Sequence, residues 1–303
     1  MSKFVVQKAV REKIYPKIAL MGASGCGKTY SALRMATGMK ARYEEMTGEK
    51  WTIIFGNTEG SRGRYYANEF EYDIVDLEAP FNPELFVDFL EYVEKLNNVI
   101  LILDSTSHEW DGKGGCLELH GNAGGRYQDW AKITPRHDKF INKMASISVP
   151  MIATMRGKDA YNMTQDEKGK TKVEKVGVGA KQRDGFEYEF TATFMLDQKS
   201  NMAEHFKDNT HIFDREGVVI LSESYGAKIV DWANSSSEEP KKQPVGDELK
   251  DLLNEIDALA KEKSKTDKDA VVKAVKENCG TANYNKISEI EIAKKVKIAL
   301  ETI

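Results

Sequence analysis

A chain of 303 residues is long enough for one sizeable α/β core and a small accessory domain. With 41% hydrophobic and 30% charged residues it has a soluble globular composition, and neither a membrane-spanning apolar run nor a secretion signal after Met1-Ser2-Lys3-Phe4 is present, so a cytoplasmic protein with no membrane partner is expected. The net charge of −4 excludes attraction of polyanions by the whole molecule's field, leaving local basic surfaces for that task.

In chain order, residues 17–21 are a short apolar run ending at glycine, and residues 29–40 carry apolar side chains at helical spacing. Strands follow at 51–55 and 73–77, a helix at 83–96, and a strand at 99–104 whose unbroken run Val99-Ile100-Leu101-Ile102-Leu103 reads as a buried parallel strand. Thr134-Pro135 reads as an N-cap with proline at the first helical position, opening a helix to about residue 146. Another strand is expected at 149–155, and antiparallel strands at 186–196 and 203–206. Residues 1–233 form the expected first domain. The polar, proline-bearing stretch 234–246 reads as a flexible linker, and 247–303 as a small helical domain.

Three scattered cysteines, Cys26, Cys116 and Cys279, fit reduced thiols. Cys116 and His120 share a face if their stretch is helical, but two ligands make no structural zinc site.

Gly22-Ala23-Ser24-Gly25-Cys26-Gly27-Lys28-Thr29 fits G-x-x-x-x-G-K-[ST] between a strand and a helix. These residues and Tyr30 are the nucleotide-binding candidates. The glycines let backbone N–H groups turn inward on phosphates at a helix N-terminus, Lys28 reaches the β/γ oxygens of ATP, and Thr29 binds Mg²⁺. Asp104, delivered by an apolar strand to the carboxyl edge of the sheet, is the second Mg²⁺ residue; the alternative is a helix-capping aspartate. Hydrolysis also needs a group that orients the attacking water. Ser105 follows Asp104 where AAA+ ATPases usually place a glutamate, so the candidate is Glu59, at the end of the strand at 51–55, with Glu109 as its rival.

The order of phosphate loop, Glu59, Asp104, the strand ending Ile152-Ala153-Thr154-Met155-Arg156 and late strands resembles the RecA-like ATPases over residues 14–232. The expected fold is therefore α/β, a RecA-like P-loop NTPase core with a mostly parallel central sheet, added antiparallel strands and a C-terminal helical domain. Two segments, 107–115 and 185–190, are similar to the phage-encoded RecA-like proteins of single-strand annealing and recombination systems. The resemblance implies a homo-oligomeric ring or filament in a bacterial host's cytoplasm, with ATP at subunit interfaces and a basic finger from a neighbour. Lys207 stands at the finger's place, and Asn209 where a second basic residue is usual. Thr154 or Arg156 takes the place of a polar sensor.

Relatives hold DNA on two loops at the carboxyl edge. Here the first, 108–130, is glycine-rich and contributes Trp110, Lys113 and Arg126. The second, 157–183, contributes Lys168, Lys170, Lys172, Lys175, Lys181 and Arg183. Glycine-rich, locally basic loops with aromatic rings suit single-stranded DNA; the alternative is a solvated charge run beside a packed tryptophan. Residues 247–303 carry no catalytic constellation and either bind a partner such as a single-strand-binding protein or stabilise an oligomer. Two other readings stay open: a different P-loop motor or kinase, and a nucleotide-gated binding module with little turnover.

Overall fold

Every residue of β1, Lys17–Gly22, is buried, and its side chains alternate between two cores. Ile18 and Leu20 join one cluster and Ala19 and Met21 the other, so the strand is covered on both faces, as a central parallel strand must be. The computed structural model describes residues 9–12, 14–165, 171–235, 246–264, 267–279, 284, 287 and 290–302. It divides into two units, residues 1–238 and 239–303.

In the first unit, β2 (Thr52–Asn57), β3 (Asp73–Asp76), β4 (Val99–Asp104), β5 (Met151–Gln165), β7 (Ala192–Leu196), β8 (Ala203–Asp208) and β9 (Val218–Val219) join β1 in the order β3-β2-β4-β5-β1-β7-β8-β9. From β3 to β7 all pairings are parallel, while β8 and β9 add antiparallel. The sheet is thus mixed α/β and mostly parallel. Helices α1 (Lys28–Thr47) and α6 (Glu223–Ala233) supply apolar residues to one face; α2 (Pro83–Glu94) and α5 (Trp130–Ser146) cover the other. Between β4 and α5 lie two short helices, α3 (Ser107–Asp111) and α4 (Cys116–Asn122). Local signals set the helix ends: the Asn82 side chain accepts from Leu85 N–H with Pro83 in the first turn, and α1 ends at left-handed Gly48.

Helices α1 and α6 meet backbone to backbone. A Cβ added at Gly38 would lie 1.8 Å from the Glu223 carbonyl oxygen, and one at Gly226 2.0 Å from that of Met35. Gly38→Ala therefore forces the helices apart and is expected to cost about 3 kcal/mol, measured as a lowered denaturant midpoint. An unchanged midpoint would refute the contact.

Three expectations change. The segment 186–196 is not one antiparallel strand: Phe186–Glu189 is a 3-10 turn entered through left-handed Gly185, and only Ala192–Leu196 is strand, parallel to β1. Its nearly continuous burial is the pattern of a parallel strand, and Phe186 and Phe190 bury their rings as the turn passes under the sheet. Second, α5 starts at Trp130, and Pro135 lies inside it rather than at its start. Proline there forgoes a backbone bond to the Ala131 carbonyl; Trp130, stacked on His120 at 4.0 Å and on Trp110 at 5.4 Å, holds the earlier turn in place. Third, β5 runs past residue 155 to Gln165 and turns back as β6 (Thr171–Ala180), so the expected loop at 157–183 is largely a hairpin. Val173, Val176 and Val178 favour strand, and a register slip opposite Ala160 and Tyr161 absorbs the break in their alternation.

The second unit comprises α7 (Gly246–Lys263), α8 (Lys268–Cys279) and α9 (Ile290–Glu301) around a core that includes Ile256, Val271, Val275, Val296 and Leu300. The linker expected at 234–246 falls largely outside the described residues. Among the described residues, no helix is long and apolar enough to cross a membrane.

Candidate nucleotide site

Leaving β1, the backbone turns through Gly22 (φ 150°), Gly25 (φ 81°) and Gly27 (φ 86°) into the first turn of α1. Gly22 has no room for a side chain: a Cβ would stand 2.6 Å from Cys26 Sγ and 2.8 Å from the Leu196 carbonyl oxygen. Cys26 itself is fully buried in the core, and its sulfur faces Lys28 Nζ at 3.7 Å. The loop opens on a cavity of about 900 Å³ whose walls include Ser24, Gly25, Gly27, Lys28, Thr29 and Tyr30, together with Glu59, Asp104 and Arg156. Gly22, Ala23 and Cys26 are not among its wall residues.

Lys28 Nζ lies across the loop, donating to the Gly22 carbonyl at 2.9 Å and that of Ala23 at 2.8 Å. An ammonium held by neutral carbonyls beside helix N–H groups is placed for a stronger, anionic acceptor. Thr29 Oγ1 donates to Asp104 Oδ2 at 2.6 Å, and Thr154 Oγ1 to Asp104 Oδ1 at 2.5 Å. Asp104 is 5% exposed. Burial pushes its carboxyl above the ordinary range, against the pull of the two threonine donors, and the charge of Glu59 pushes the same way. A hydroxyl and a carboxylate oxygen side by side form a donor set that fits a hard divalent cation such as Mg²⁺.

Because β5 lies between β1 and β4, Thr154 reaches Asp104 from the adjacent strand. Two residues on, Arg156 reaches Glu59: Nη2 donates to both carboxylate oxygens at 2.8 Å, and Nε to Oε1 at 3.1 Å. Glu59 follows β2, its N–H bonded to Asn57 Oδ1 at 3.0 Å, and its side chain is 15% exposed. Of the two sensor candidates, Thr154 therefore buttresses Asp104, and Arg156 lines the cavity gripping Glu59.

A family model described as an AAA domain matches residues 14–228 of the 303. The chain belongs to this AAA domain family. Among curated proteins, none matches it. The matched span runs from just before β1 to α6 and takes in the whole cavity, so this is a P-loop domain of the nucleotide-binding ATPase type.

Elsewhere in the AAA domain, the other sequence candidates are dispersed. Glu109 is fully buried and hydrogen-bonded to His137, Cys116 and Gln182, outside the cavity wall, so it does not rival Glu59. His120 stacks on Trp130 and bonds the Arg126 carbonyl, leaving Cys116 to a different histidine. Lys207, on β8, donates to the Tyr188 carbonyl and is not part of its own chain's cavity wall. Trp110 stacks on Trp130 with its ring planes 9° apart, so one of its faces is already covered. Lys113 and Arg126 are exposed, and beside Arg126 the ring of Tyr127, another aromatic of the first loop, is 93% exposed. Lys181 pairs with Asp111, and Arg183 with Asp138 at 3.0 Å. Lys172 and Lys175 stand on β6, opposite Thr164 and Tyr161 in register, while Lys168 and Lys170 lie outside the described residues.

Arg156's grip on Glu59 is not legible in the sequence, since the two are 97 residues apart. The available signal was that both follow apolar runs to strand ends on the same sheet edge.

Proposed function

We propose that the chain is a Mg²⁺-dependent, RecA-like ATPase that assembles head-to-tail into a ring or filament and acts on single-stranded DNA in phage recombination, annealing or replication support. The observation that carries this reading is the path of β5. That one strand places Thr154 on Asp104, then Arg156 on Glu59, and then continues into the hairpin that bears Lys172 and Lys175. A nucleotide that changes the demands on Arg156 is thereby linked, through continuous backbone, to the hairpin.

In this mechanism the loop N–H groups and Lys28 bind and orient the triphosphate, and Lys28 stabilises charge developing on the transferred phosphoryl group. Thr29 and Asp104 would hold Mg²⁺, whose charge would neutralise that of the phosphates. Glu59 positions the attacking water and accepts its proton. Its bidentate pairing with Arg156 holds it in reserve, so turnover waits on Arg156 finding another anion. Lys207 of a neighbouring subunit supplies the remaining cation, head-to-tail contacts being of the kind that generate rings or filaments. Residues 247–303 dock a single-strand-binding protein or a further copy.

The test is ATP hydrolysis with and without single-stranded DNA, with sizing in a non-hydrolysable analogue. Stimulation together with assembly supports the proposal. Turnover indifferent to DNA, with no assembly, overturns it in favour of another P-loop motor or kinase. ATP binding without turnover, but with ATP-dependent DNA affinity, favours the nucleotide-gated module, a reading to which the Glu59–Arg156 pair and Asn209 at the second finger position lend weight. Arg156→Ala removes the side chain through which the pocket engages β5. Its expected result is loss of the DNA-dependent increment in hydrolysis while ATP still binds, read from paired rate measurements; an intact increment would remove Arg156 from the coupling.

A further inference from the structure

Glu109, Cys116 and His137 come from three helices, α3, α4 and α5, and are 0%, 0% and 2% exposed. Cys116 Sγ lies 3.0 Å from Glu109 Oε1, His137 Nδ1 lies 2.9 Å from the same oxygen, and sulfur and nitrogen are 3.9 Å apart. A thiol, an imidazole and a carboxylate thus present one ligand atom each within 4.8 Å of one another. Tetrahedral bonds of about 2.0–2.3 Å separate ligand atoms by about 3.3–3.6 Å, so shifts of roughly half an ångström bring all three onto one ion.

We propose that these three residues form a structural zinc site that fastens the glycine-rich segment after β4 to α5. The proposal is independent of the nucleotide reading. Three physical arguments carry it. A sulfur, nitrogen and oxygen donor set selects a borderline-soft ion such as zinc over the hard Mg²⁺ of the nucleotide pocket. Charge closes as well: beside a neutral His137, a divalent ion balances the Glu109 carboxylate plus a Cys116 thiolate, the thiol proton passing to solvent as the metal–sulfur bond forms. Finally, the carboxylate is aimed by an outer partner, since Gln182 Nε2 donates to Glu109 Oε2 at 3.2 Å while also donating to the Thr106 carbonyl at 3.1 Å. Glu109 Oε2 lies 3.1 Å from His137 Nδ1, so the carboxylate has either oxygen in reach of an ion held by the imidazole and the thiol.

The full chain, purified without chelator, is expected to carry about one zinc per chain by elemental analysis and to melt lower after chelation, with recovery on adding Zn²⁺. Exchange with Co²⁺ should give a thiolate-to-cobalt charge-transfer band that Cys116→Ser abolishes and Cys279→Ser leaves intact. Gln182→Leu should weaken Zn²⁺ affinity about 10–100-fold without removing the band. A folded protein that holds no zinc, shows no cobalt band and melts at the same temperature with Zn²⁺ or chelator overturns the proposal, leaving a hydrogen-bonded cluster. These measurements on the unsubstituted chain stand even if Cys116→Ser fails to fold.

Discussion

Lys28→Ala is expected to lower ATP turnover by about 10³-fold and to weaken nucleotide binding, while the protein stays folded. The ammonium is the cation that the loop itself supplies, and its present partners are two loop carbonyls at 2.8–2.9 Å, which accept equally well from water once the side chain is gone, and the weakly accepting Cys26 sulfur at 3.7 Å. Its loss therefore strikes the charge that develops between the β- and γ-phosphates and spares the core, because the buried neighbours that hold the loop's shape, Cys26 and Leu196, are untouched. Phosphate release at saturating ATP, with an unchanged thermal melt as control, decides it. Turnover within a few-fold of the parent would mean that nucleotide chemistry, if any, occurs elsewhere.

Glu59→Gln separates binding from chemistry. The amide keeps the size of the side chain and retains a carbonyl that Arg156 can bond, but it can neither accept the proton of the attacking water nor polarise it as a carboxylate does. Turnover should fall about 10²–10⁴-fold. ATP affinity should hold or rise, because a negative charge leaves the wall of a cavity that receives a polyanion. The charge of Glu59 also helps push the Asp104 carboxyl up, so its removal makes Asp104 easier to ionise and Mg²⁺ easier to hold. A nucleotide-binding titration beside a steady-state rate tests both halves. Unchanged turnover would remove Glu59 from the mechanism, and a large loss of affinity would make it a binding residue instead.

The AAA domain's phosphate loop could be read without coordinates because its requirements are local. Glycines at 22, 25 and 27 adopt left-handed or extreme φ values, Lys28 and Thr29 open a helix, and all of it fits within eight consecutive residues. Asp104 and Glu59 were equally readable as polar residues released at the ends of apolar runs. Helix α2 carried its own cap in Asn82 and Pro83.

Tertiary structure decided which of these groups meet. Inserting β5 between β1 and β4 sets Thr154 against Asp104 and Arg156 against Glu59. The same packing gave Cys116 to Glu109 and His137 rather than to His120, and it overruled Thr134-Pro135 as a helix start by stacking Trp130 on His120 and Trp110. Caps, turns and burial periodicity depend on residues within a turn or two along the chain, so sequence alone determined the loop and the strand-tip acids. Strand order and the facing of helices depend on contacts dozens of residues apart, whose free energy is settled only when the whole core closes, and so the partners of Glu59, Asp104 and Glu109 belonged to the fold.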